Sequence, residues 1–180
     1  MDSESKLIAQ LKETHTRDKA FLILLSQYKE RLYWHIRKIV ISHEDADDVL
    51  QNTFIKVYKN IGNFKAESKL YSWMYRIATN ESITFITKRA KQQSIDINAV
   101  QQQLVEQLEA DIYFDGDEIQ LQLQKAITTL PTKQQLVFNM KYFDNMKYND
   151  MSEVLETSVG ALKASYHHAV KKIEKYLTNK

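Results

Sequence analysis

The sequence predicts an all-α protein built as two small helical domains, and three observations carry that prediction. Its 180 residues include only three glycines and one proline, too few for the turns an all-β fold needs. Apolar residues make up 43% of the chain, enough to bury real cores. They recur at three- and four-residue spacing over long stretches, the period of an amphipathic helix.

The elements follow in order. Leu7, Ile8 and Leu11 share one face of a first helix, from about Ser3 to Glu13. Phe21, Leu24, Leu25, Tyr28, Leu32, His35, Ile36 and Ile39 mark a longer one from about Arg17 to Ile41. Ser42, followed by acids, is a helix start; Val49, Leu50, Thr53, Phe54 and Val57 form the inner stripe, and Gly62 and Asn63 stop it. After the polar loop "KAES", a helix from about Ser68 to Lys91 carries Leu70, Met74, Ile77, Ile83, Phe85 and Ile86. Residues 92–117 are rich in glutamine and acid; "QQQLVEQLEADIYF" within them suits a loose helix, in a segment expected to be a mobile or partner-dependent linker. From Glu118 come "EIQLQLQKAITTL", ended by Pro131, then "TKQQLVFNMKYF", the short "KYNDMSEVL", the tight "ETS" and a last helix from Ser158 to Leu177. The expected organisation is residues 1–91, a linker over 92–117, and residues 118–180.

A net charge of +2 decides little, but its distribution is informative. From Gln92 to Gln124 there are seven acids and no Lys or Arg, whereas Lys65–Lys91 and the last helix are basic. Two basic pieces around an acidic strip suggest two modules that contact polyanions. The chain has no cysteine, so neither a disulfide nor a thiolate metal site is available. The polar N-terminus lacks a signal-peptide core, and "AFLILLSQY" is too short to span a bilayer, which suggests an intracellular protein.

Three constellations have chemical content. "YNDMSEVLETSVGALKASYHHAVKKI" has the short helix, tight turn and longer helix of a helix-turn-helix, which presents its second helix to a DNA major groove. Lys163, Ser165, His167 and His168 would then face bases and phosphates, with Lys171 further along the backbone; a merely solvated basic face is the alternative. In Phe64–Arg89, aromatics interleave with cations, a mixture suited to single-stranded nucleic acid: rings stack bases and cations neutralise phosphates. Trp73 and Ile77 also suit a core, while Lys65, Ser68, Lys69, Arg76 and Asn80 suit one poorly. "HEDADDVLQNTFIKVYK" starts acidic, but Leu50 stands where a calcium loop needs glycine, so its acids are first-turn charges on a possible docking helix. No phosphate loop, nucleophile elbow or metal-ligand set is present, and neither catalysis nor a cofactor is expected.

Together these segments resemble the extracytoplasmic-function sigma factors of the sigma-70 family. Asp48, Val49, Gln51, Phe54, Ile55, Lys56, Tyr58, Phe64, Ser68, Trp73, Tyr75, Arg76, Ile77, Ala78 and Asn80 match the region 2 pattern. Leu130, Pro131, Val137, Phe138, Val159, Gly160, Lys163 and Ala169 match region 4. The resemblance covers most of the chain and implies a non-enzymatic cytoplasmic partner of core RNA polymerase, commonly held inactive by an anti-sigma factor. It implies that Asp45, Asp48, Gln51, Asn52 and Lys56 contact polymerase. Lys65, Ser68, Lys69, Tyr75, Arg76 and Asn80 would hold the unpaired −10 strand, with one flipped base in a loop pocket. Lys163, Ser165, His167, His168 and Lys171 would take the −35 duplex. Region 4 here lacks several arginines of the family pattern, so more of the −35 recognition would rest on shape and phosphates. A plain helix-turn-helix regulator would not need the aromatic–basic segment, and a helical nuclease would need clustered metal-binding carboxylates.

Overall fold

A computed structural model describes residues 3–108 and 117–179. Among these residues there are nine α-helices and no strand. The first four are α1 (Ser3–Lys12), α2 (Arg17–Val40), α3 (His43–Asn60) and α4 (Leu70–Gln93), with a 3-10 turn at Ile61–Asn63. Then come α5 (Ile97–Glu106), α6 (Glu118–Thr128), α7 (Thr132–Tyr142), α8 (Tyr148–Leu155) and α9 (Val159–Thr178).

Helices α2, α3 and α4 pack around a common apolar centre, and side chains fix the starts of α3 and α4. Ser42 Oγ accepts the Asp45 N–H at 3.3 Å, satisfying one orphan donor of α3, while Glu44 and Asp45 complement the helix dipole. At the start of α4 the partner comes from elsewhere in the chain: the Glu4 carboxylate accepts the Leu70 N–H at 3.2 Å. The α2–α3 corner is sharp. Ile41 adopts φ 67°, a conformation costly for a β-branched residue, yet its side chain is only 3% exposed. Burial with Ile86, Ala90 and Val100 in one cluster offsets that strain.

Residues 97–106 differ from the expected mobile segment. Their glutamines obscure an apolar stripe: Val100, Leu104, Val105 and Leu108 bury with Ile41, Ile86, Ala90 and Leu121. Asp96 caps this helix through the Ala99 N–H at 2.8 Å. Gln101 is itself buried and donates to the Ile39 carbonyl at 2.9 Å. Asn98 donates to the carbonyls of Thr128 and Leu130 at 2.9 and 2.8 Å, tying α5 to the α6–α7 corner. The rest of the expected linker, residues 109–116 with Glu109, Asp111 and Asp115, lies outside the described residues.

The C-terminal helices surround a smaller cluster of Ala126, Ile127, Leu130, Phe138, Ala169 and Ile173. Asp117 caps α6 at the Gln120 N–H, 2.9 Å. Between α8 and α9 the chain turns through Glu156 at φ 49°, and Ser158 caps α9 at the Ala161 N–H, 3.3 Å. The two modules do not stand apart, however. Helix α8 lies against α4, and Val137, Met140, Met146, Met151, Val154 and Leu162 belong to the same core as Leu70, Met74 and Ala78. All four described methionines are in that shared core.

Candidate nucleic-acid interface

Between α2 and α3 runs an apolar groove of about 610 Å³, lined by Phe21, Leu25, Leu50, Phe54, Ile55 and Tyr58 and rimmed by Lys29, Asp47, Asp48, Gln51 and Lys59. The Phe21 ring meets Tyr58 edge-on at 5.0 Å and Phe54 at 6.2 Å, while the Tyr58 hydroxyl donates to Asp18 at 2.7 Å. Leu22 is 66% exposed beside it on α2. The structure divides the five residues expected to contact polymerase. Asp48 and Gln51 line the groove. Asp45 and Lys56 instead form ion pairs with Arg89 and Glu81 of α4, and Asn52 is exposed. Helical spacing explains the division: positions 48, 51 and 55 share one face, whereas 45, 52 and 56 follow the adjacent one. The α2 contribution to the groove was missed because Phe21 and Leu25 have the same periodicity as a core stripe.

Across α3 from this groove, Lys56, Asn60, Asn63, Phe64, Trp73 and Ile77 enclose a second cavity of about 310 Å³. Phe64 and Trp73 sit 5.0 Å apart with their planes tilted by 42°, forming one aromatic wall. Lys65 is exposed and Ser68 half-buried on the loop leading from Phe64, and Asn80 is exposed on α4 next to Glu81, the partner of Lys56. Asn60 and Asn63 were not among the expected site residues. In the sequence Asn63 reads only as part of a helix stop, and Asn60 carries no signal of its own.

The other expected −10 residues are placed differently. Tyr75, expected on the −10 surface, is 1% exposed, so in this structure it is a core residue with no face open to DNA. Its ring lies 4.7 Å from that of His35. Burial first, then the nearby Asp144 charge, push its phenol up to about 12 against the opposing effect of Arg31. Lys69 and Arg76 lie on the same α4 face and are taken up by α8. Lys69 Nζ pairs with Asp150 at 2.7 Å, an interaction that raises its pKa. Arg76 donates twice to the Glu153 carbonyl, at 2.7 and 3.1 Å, and meets Glu156 at 3.4 Å. Nearby, Asp144 accepts from Lys38 at 2.7 Å and faces His35 at 3.1 Å, whose other ring nitrogen meets Thr79 at 2.8 Å. Burial raises the Asp144 pKa, but His35 and Lys38 outweigh it and hold the carboxyl below its usual value.

In the α8–α9 pair, Leu162, Ala169 and Ile173 form the buried stripe of α9. Lys163, His167 and Lys171 are exposed along the opposite side, with His168 exposed beside them. Ser165 is half-buried because its position turns back towards the stripe. Lys163 Nζ rests 5.8 Å from the Tyr148 ring centre. Among the described residues, no group of three or more His, Asp or Glu is arranged to hold a metal, and no helix is long and apolar enough to cross a membrane.

Comparison with known proteins gives a consistent result. Residues 24–92 match the family profile of Sigma-70 region 2, and residues 120–173 match that of Sigma-70, region 4. The ECF RNA polymerase sigma factor SigW of Bacillus subtilis is 28% identical over 183 residues, covering 97% of this chain and 98% of that protein. The RNA polymerase sigma-H factor of Pseudomonas aeruginosa is 29% identical over 167 residues, 88% of this chain and 86% of its own. In fold, CnrH in complex with the cytosolic domain of CnrY superposes with a TM-score of 0.74 at 20% identity, covering 99% of both chains. The sigma factor RpoE from Bartonella quintana, in complex with the anti-sigma factor NepR, gives 0.68 at 19% identity over 89% of this chain and 98% of that one.

Proposed function

This chain belongs to the sigma-70 family and is of its extracytoplasmic-function type, and from that premise we propose how its surfaces divide the work of promoter recognition. It is an RNA polymerase sigma factor, which binds core polymerase, recognises −10 and −35 elements and promotes DNA melting. The pairing of region 2 with region 4, in order along the chain, is the observation that carries this reading.

The α2–α3 groove, with Asp48 and Gln51 on its rim, is the docking surface for core polymerase. Apolar walls desolvate a partner helix, and the rim carboxylates favour one with basic flanks. Asp45, Asn52 and Lys56 support that surface from the side facing α4. The Phe64–Trp73 cavity takes a base flipped out of the −10 strand. Unstacking a base costs a few kcal/mol, and stacking on a ring returns about 1–3 kcal/mol per base. The Asn80 amide, able both to donate and to accept, hydrogen-bonds the base edge. Lys65, Ser68, Lys69 and Arg76 hold the flanking phosphates. On α9, Lys163, Ser165, His167, His168 and Lys171 take the −35 duplex.

No step calls for catalysis by this chain or for a cofactor, and its place of action is the cytoplasm, where the polymerase is. An anti-sigma factor controls it by covering the polymerase-binding surface, a reading supported by the fold it shares with a sigma factor held by NepR. Reconstitution with bacterial core polymerase tests the whole scheme: promoter-specific initiation is expected only when both are present. Tight duplex binding without any affinity for core polymerase would reduce the protein to an ordinary helix-turn-helix regulator.

A further inference from the structure

We propose that Glu4 is a positioning residue for −10 recognition: it fixes the first turn of α4 and, through that turn, the aromatic wall of the base pocket. The role rests on the sigma reading and extends it to a helix outside the matched profile, since α1 ends at Lys12 and the region 2 match begins at residue 24.

The need for such a residue arises at the start of α4. A helix leaves its first N–H groups without intrahelical partners, and a side chain at the N-cap ordinarily supplies one. Lys69 stands at that position; its ammonium can only donate, and it makes no capping bond. The loop before it is strained, because Ala66 adopts φ 58°, a left-handed conformation that is costly without glycine. Such strain persists only where the surroundings impose it, so both ends of the loop must be held. At one end the Phe64 N–H donates to the Ile61 carbonyl at 3.1 Å. At the other the Glu4 carboxylate accepts the Leu70 N–H at 3.2 Å.

Helix α1 is placed to support both ends. It packs against α2 and the 3-10 turn, with Leu7 and Leu11 buried in the main core. Arg17 donates to the carbonyls of Leu11 and Lys12, at 3.0 and 3.2 Å, closing the end of α1, and its guanidinium lies beside Gly62 of the turn. The two ends of the loop are also the two sides of the base pocket: Asn63 and Phe64 belong to one, Trp73 to the other. The Trp73 N–H donates to the Lys69 carbonyl at 3.1 Å, the first rung of α4, so fraying of that turn moves the ring. In contrast, α1 contributes no residue to the α2–α3 groove, which leaves polymerase docking independent of Glu4.

Initiation by the reconstituted holoenzyme on a promoter library randomised over the −10 and −35 elements reads base preference at each. Glu4→Ala should flatten the −10 preference about fivefold, equivalent to about 1 kcal/mol, the size of one lost cap. The −35 preference and the affinity for core polymerase should not change. Glu4→Gln, whose amide oxygen still accepts, should restore the −10 preference. A second readout uses the free chain, where Trp34→Phe, at an exposed site, leaves Trp73 as the only tryptophan. There Glu4→Ala should raise acrylamide quenching of Trp73, and Glu4→Gln should not. Unchanged −10 preference, unchanged Trp73 quenching, or an equal loss at −35 or in polymerase affinity would each overturn the proposal. So would a Glu4→Gln chain as impaired as Glu4→Ala, which would assign the effect to the carboxylate charge near Lys69. Absence of promoter-specific initiation by the parent chain would instead overturn the sigma reading, and Trp73 quenching would still report whether Glu4 holds the turn.

Discussion

Five residues apart on α4, Tyr75 and Asn80 project about 140° away from one another, so the helix that buries one exposes the other. Asn80→Ala should weaken −10 recognition by about tenfold, the size of one lost base-edge contact, and leave core-polymerase affinity unchanged in a pull-down. Equal loss of both would remove Asn80 from the base pocket. Tyr75→Ala should instead cost about 3–5 kcal/mol of stability in denaturant unfolding, as for other large core truncations. The tyrosine also has a pH signature. Its folded pKa is raised, so its contribution to stability is complete below pH 10 and is lost as pH rises through about 12. In a tyrosinate absorbance titration, Tyr75→Phe should therefore remove part of the latest-ionising fraction.

Among the elements, α9 and α5 have different dependencies. Helix α9 begins on the Ser158 cap, and Ser158→Ala should cost about 1 kcal/mol while weakening −35 duplex binding in parallel. Lys163→Ala should leave stability nearly unchanged and lower the salt dependence of duplex binding by about one phosphate; an unchanged slope would exclude that contact. Helix α5 carries no expected site residue, yet it closes a core of its own. Leu104→Ala should destabilise the chain by about 2–4 kcal/mol, an effect that a mobile linker would not show. Its stripe was hidden in the sequence by the glutamines around it, since Gln101, polar by composition, is buried by the partner it finds at the Ile39 carbonyl.

At the scale of the whole molecule, few charged pairs join the N-terminal helices to the C-terminal ones, and Asp144 holds the most buried of them. Asp144 has its pKa lowered from an ordinary value of 3.8, because His35 and Lys38 outweigh the burial that raises it. Its contribution to stability is thus complete above that value and is lost as pH falls through the lowered one. Denaturant unfolding followed against pH should show this contribution disappearing only below about pH 4 in the parent chain and absent in Asp144→Asn; a difference between the two that vanishes near neutrality would place the effect on other groups.

Helix periods, caps and breakers are local properties, so the succession of helices was legible before any contact was known. So were the helix-turn-helix and the aromatic–basic segment, because the residue types that stack, cap and pair with phosphate lie close together in the chain. These local patterns determined the fold class and the family. Whether Tyr75 faces in or out, which of the five α3 residues borders the groove, and whether Lys69 and Arg76 are available were decided only by tertiary structure. Each depends on partners 25 or more residues away, such as Glu81 for Lys56, Arg89 for Asp45 and Asp150 for Lys69. A helical pattern states that a face exists; what covers that face is settled by the free energy of packing distant segments together.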